Sequence, residues 1–102
     1  MTTDVLYSKK YISKKGIVLT SVGGTQLLVA AASLGGEVPY VTSINETAAF
    51  MWGLLIGGAS EEYILDKMAE EFDIDDMEQT ETEISAILKQ LYEQGYIIRM
   101  DE

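Results

Sequence analysis

The chain has 102 residues, enough for one domain with its own core, and its 47% hydrophobic and 24% charged composition is that of a folded protein. It holds no cysteine and no histidine, which excludes disulfides, thiolate zinc sites, a cysteine nucleophile, a Ser-His-Asp triad and histidine-bound metals. The formal charge of −10 is uneven: residues 1–36 hold four lysines and one acid, while residues 37–102 hold sixteen acids and three bases.

Residues 1–102 read as a single domain that opens on a loosely held segment, residues 1–15. Lys9, Lys10, Lys14 and Lys15 flank Tyr7 and Tyr11 there, and a solvated tail is the expectation over a nucleic-acid arm. No charged start leads into an apolar core of a signal segment. The longest apolar runs, Leu27–Leu34 and Ala48–Ala59, are shorter than the ~20 residues that span a bilayer. No membrane partner is therefore expected, and the expected location is the cytoplasm.

Three β-prone runs follow, Gly16–Thr20, Gln26–Ala31 and Val38–Ser43, separated by the pairs Gly23-Gly24 and Gly35-Gly36. They predict a small antiparallel meander that needs a cover on one face. Pro39 lacks an N–H, so it either lies on an edge strand or opens the third strand.

From Ile44 onward the period is helical. Ser43 with Glu46 forms a capping box, and Asn45 is the alternative cap. Thr47, Phe50, Met51, Leu54 and Leu55 share a face, and Gly57-Gly58 ends the helix. Trp52 points off that face, either under the sheet or half exposed. Ser60 caps a second helix with Glu61 and Glu62 in its first turn, and its stripe is Ile64, Leu65, Met68, Ala69 and Phe72. Asp76 or Thr80 caps a third, whose inner face is Ile84, Ile87, Leu88, Leu91 and Tyr92 and whose stop is Gly95. Tyr96–Met100 is β-prone and is placed as a short strand returning to the sheet. The fold class is α+β: an N-terminal three-stranded antiparallel sheet on three helices, like a winged helix-turn-helix.

Few residues invite chemistry. Asp73, Asp75, Asp76 and Glu78 suggest a calcium loop, but the sixth position from Asp73 is Glu78 rather than glycine and the twelfth is Ile84 rather than glutamate. A solvated, helix-capping loop is the better reading, and no metal or cofactor is expected. None of the glycine pairs makes a phosphate loop. No paired acid and base occurs at a readable spacing, so catalysis is not expected.

Ile44–Leu55, INETAAFMWGLL, resembles the signature LNETAAxIWxLL of the family of the pyrroloquinoline quinone biosynthesis chaperone, protein D, the recognition elements of ribosomal peptide modification. Gly57–Glu62 is similar to that family's G-x-T-x-E-E. Leu65–Ile74, LDKMAEEFDI, is similar to xxLxEEYDV, and Leu88–Ile97, LKQLYEQGYI, to LxxLxExGLI. The likeness runs from Val38 to Ile98, about 60% of the chain.

The resemblance implies binding of the leader segment of a precursor peptide, added as a strand to the sheet edge just before the first helix. The leader would lie against the third helix and be presented to a radical SAM enzyme or a leader peptidase. Tyr40, Val41, Thr42 and Ser43 then supply the edge, and Ile84, Leu88 and Tyr92 are groove candidates that serve equally well as core. The acidic half suits a basic leader. An open edge can also pair with a second copy, giving a homodimer. The alternative is a winged-helix DNA-binding regulator, which the five acids and single lysine of Asp76–Gly95 oppose.

Overall fold

The computed structural model describes residues 10–100. Residues 1–9, the first part of the segment expected to be loosely held, lie outside the described residues, as do 101–102. The elements in chain order are β1 (Lys10–Ser13), β2 (Ile17–Val22), β3 (Thr25–Ala30), a 3-10 turn (Ala32–Leu34), β4 (Val41–Ile44), α1 (Glu46–Leu55), β5 (Ala59–Ser60), α2 (Glu61–Glu71), α3 (Met77–Gln94) and β6 (Ile97–Arg99). The strands make two antiparallel sheets, ordered β2-β3-β4 and β5-β1-β6. The expected α+β class, with a three-stranded sheet and three helices, is what forms.

The β2–β3 hairpin follows from its turn. Val22 pairs with Thr25, leaving a two-residue loop whose members Gly23 and Gly24 have φ of 58° and 85°. Two positive φ values in a row match the right-handed twist of the flanking strands, and glycine adopts them without a Cβ clash. Register then sorts the faces. Leu19, Leu28 and Thr42 align on the face turned to the helices, and Val18, Val29 and Val41 align on the other. Leu28 is buried in the core while Val18 is exposed.

The third strand starts later than its sequence suggests. Val38 turns into the core at 6% exposure, and Pro39 and Tyr40 lead into β4. Packing decides this: Val38 sits beneath the end of α3, where a Cβ added to Gly95 would stand 3.0 Å from its Cγ1. Pro39 is neither in the strand nor its first residue: it lies two residues ahead of β4, which is itself at a sheet edge.

The caps are mostly those the sequence announces. Asn45 caps α1, its side-chain oxygen accepting the Ala48 N–H at 2.8 Å. Ser43 does not cap it, because it is still paired with Leu27 in the β4 ladder. Ser60 accepts the Tyr63 N–H at 3.1 Å and Asp76 the Gln79 N–H at 3.0 Å. Thr80 instead donates its hydroxyl to the Asp76 carbonyl.

The core stripe of α1 is Ala48, Met51, Trp52 and Leu55, one position round from the expected face. Trp52 is 1% exposed, in one cluster with Leu28, Ile64, Ile84, Leu88 and Tyr96. Phe50, displaced to the margin, meets Phe72 edge-on with centroids 5.2 Å apart.

The second sheet is the main departure from the sequence reading. β6 does not join the β2-β3-β4 meander; Ile97, Ile98 and Arg99 pair with Ser13, Ile12 and Tyr11. On its other side β1 pairs with Ala59 and Ser60 of β5. Residues 10–13 of the segment expected to be loosely held are thus a central strand, because neighbours on both sides satisfy their backbone groups.

Candidate functional site

The site follows from which backbone groups β4 leaves over. The Ala30 N–H donates to the Tyr40 carbonyl at 2.8 Å, so Tyr40 turns its polar groups toward β3. These groups alternate sides along a strand, so Thr42 and Ile44 also face β3 while Val41 and Ser43 face outward. No strand among the described residues occupies that outer side.

Beside this edge runs a groove of about 180 Å³. One wall is Thr42, Ser43, Ile44 and Asn45. The other is Ile87, Gln90, Leu91 and Gln94 of α3, and Ala48 of α1 completes the lining. The spacing i, i+3, i+4, i+7 puts the four α3 residues on one stripe. No charged side chain lines the groove, although α3 carries four acids and one lysine. Its surface mixes aliphatic carbon with amides and hydroxyls, suited to alternate side chains of an extended segment. The open N–H and C=O groups of Val41 and Ser43 are suited to that segment's backbone.

The expected site residues divide. Tyr40, at 67% exposure, and the exposed Val41 and Ser43 stand along the edge, and Thr42 lines the groove. Ile84 and Leu88, 0% and 3% exposed, belong to the core. Tyr92 lies on a further face, its ring edge-on to Tyr11 with centroids 6.2 Å apart. Steps of four residues overshoot a turn of 3.6 by about 40° each, so Ile84, Leu88 and Tyr92 spiral away from β4. The wall residues the sequence reading did not name for the site are Ile44 and Asn45 on the strand side and Gln90 and Gln94 on α3; Ile87 and Leu91 it placed in the buried face, where Leu91 indeed lies at 3% exposure. The signal was the i, i+3, i+4, i+7 set itself, obscured because two of its members are polar.

A second hollow, lined by Ala30, Leu34, Val38 and Tyr40, meets the chain just ahead of β4 but takes in no residue of the strand itself. Another, of about 500 Å³, lies between the end of α1, β5 and the start of α2, and no residue of β4 lines it. Among the described residues no group of three or more acidic side chains is placed to hold a metal ion, and no helix is long and apolar enough to cross a membrane.

Residues 32–97 match the family model described as coenzyme PQQ synthesis protein D, PqqD. This chain belongs to the PqqD family. The match begins after β3 and ends at the first residue of β6, so it takes in β4, all three helices and the whole groove. Two solved structures share the fold of this PqqD-family protein. One is TbiB1 in complex with the TbiA(beta) leader peptide, with a TM-score of 0.65 at 16% identity, covering 84% of this chain and 93% of that one. The other is lasso peptide synthetase B1 complexed with the leader peptide, with a TM-score of 0.65 at 19% identity, covering 86% and 96%. No curated protein matches the sequence significantly.

Proposed function

We propose that this PqqD-family protein captures the leader segment of a ribosomally made precursor peptide as an added strand on β4, and holds it for a modifying enzyme. It works by binding alone, in the cytoplasm where such precursors are made; the chemistry belongs to a partner such as a radical SAM enzyme or a leader peptidase. The observation that carries this reading is the open side of Val41 and Ser43 bordering the α3 groove. It is supported by the two structures of shared fold, each of which is described with a leader peptide bound.

Backbone pairing at the edge supplies affinity without sequence preference, and the groove supplies selection. The uncharged lining means that apolar and amide contacts choose the peptide, while the acidic surface around it steers a basic leader during approach. DNA binding is not favoured, since α3 offers Lys89 against Glu78, Glu81, Glu83 and Glu93 where a phosphate backbone would lie.

The test is fluorescence anisotropy with labelled synthetic peptides tiling the short reading frames beside the gene. Saturable binding of a leader segment, competed by the unlabelled peptide, is expected. Absence of binding across the tiled set, with the protein folded by circular dichroism, defeats the reading. Sedimentation with and without peptide shows whether a second copy competes for the same edge, since a dimer on that edge would dissociate as peptide binds.

A further inference from the structure

We propose that Tyr96 is the positioning residue of the docking strand, holding the start of β4 against the end of α3 through its buried phenol. This rests on β4 being the peptide-binding edge. Tyr96 directly follows the Gly95 stop of α3 and is 0% exposed. Its hydroxyl donates to the Pro39 carbonyl at 2.9 Å. A phenol has one proton, so at its second partner, Thr42 Oγ1 at 2.5 Å, it accepts. The two bonds bracket Val41, one of the two residues whose backbone groups face outward.

Three features make this more than core filling. Proline ahead of β4 has no N–H with which to tie this part of the chain to a neighbour. Tyr40 is exposed, so its side chain does not anchor the strand. Thr42 lines the groove, so the bond to Tyr96 also fixes the orientation of a side chain the peptide meets. Tyr96 therefore links the two walls, β4 and α3, at one end of the groove. A preformed edge binds more tightly than one that must be ordered on encounter.

The test compares Tyr96→Phe, Thr42→Val, the double variant and a control, Ile64→Val, which trims the buried face of α2 away from β4. Each is checked for folding by circular dichroism at 10 °C and measured there by anisotropy with the tightest peptide of the tiled set and by amide hydrogen exchange of the free protein. Tyr96→Phe is expected to raise Kd about fivefold, the factor that corresponds to one neutral hydrogen bond. It should also speed exchange at Thr42 and Ile44, whose N–H groups face β3. The double variant should lose less affinity than the two single losses combined, because both changes cut the Tyr96–Thr42 bond. Ile64→Val should lower Tm and leave Kd unchanged. If Tyr96→Phe lowers Tm but moves neither Kd nor exchange at Thr42 and Ile44, Tyr96 is only a core residue and the proposal is overturned. If no peptide binds even the unaltered protein, the leader-binding reading fails, and exchange still decides whether Tyr96 holds β4.

Discussion

Gly95 shows how one residue serves both a helix end and the site beside it. Its φ of 88° lies where a side chain strains the backbone, and its N–H closes α3 on the carbonyls of Leu91 and Tyr92. A Cβ there would also come 3.2 Å from the Glu37 carbonyl and 3.0 Å from Val38 Cγ1. Gly95→Ala should therefore cost about 2 kcal/mol, the left-handed penalty with crowding added, and lower Tm by roughly 10 °C in a domain of this size. Thermal unfolding followed by circular dichroism checks it; a loss no larger than that of an ordinary surface substitution would mean the loop at Glu37 gives way. Gly95, Ser60 and Asp76 were all legible in the sequence because caps and stops are local chemistry. The choice of Asn45 over Ser43 was not, because it depends on how far the β4 ladder extends, and that is set by β3.

At the scale of elements, α3 presents two faces that hydropathy alone does not separate. Ile84 and Leu88 face the core, Ile87 reaches the groove alongside Gln90 and Gln94, and Leu91 does both, buried in the core cluster while lining the groove. A stripe half made of amides reads as solvent-facing in a sequence, and so the core residues of the helix stood in for its wall. The distinction is measurable. Leu88→Ala should cost about 2–5 kcal/mol of stability, as large-to-small core changes do. Ile87→Ser should weaken leader binding with a smaller loss of stability, because Ile87 is only partly buried. Equal effects of both on Tm, with Kd unmoved, would remove α3 from the site. For β4 the corresponding change is Val41→Pro. Its N–H points away from β3, so the ladder survives while the edge loses a donor. The variant should stay folded and lose most of its peptide binding, as anisotropy with the same tiled peptides would show.

Across the whole molecule, the unforeseen feature is the sheet that gathers distant parts of the chain. β1 joins β5, which precedes α2, to β6, which follows α3, and the Lys14 N–H donates to the Tyr96 carbonyl at 2.8 Å. KYIS is too short and mixed to announce itself as a strand; what orders it is a pair of neighbours far along the chain, which no local pattern records. Tyr11 carries the side-chain part of this join. It packs against the main cluster and stands edge-on to Tyr92 of α3, so it ties β1 to the same helix that walls the groove. Tyr11→Ala removes a partly buried aromatic ring and an aromatic pair, and should lower stability by about 2–3 kcal/mol. Urea unfolding measures this directly, and the slope with denaturant should be unchanged if the surface exposed on unfolding stays the same. A loosely held segment predicts no change in the midpoint at all. The substitution thus separates a chain that begins its fold at β1 from one that begins it at β2, and because Tyr11 lines no part of the groove, leader affinity measured well below the midpoint should stay where it was.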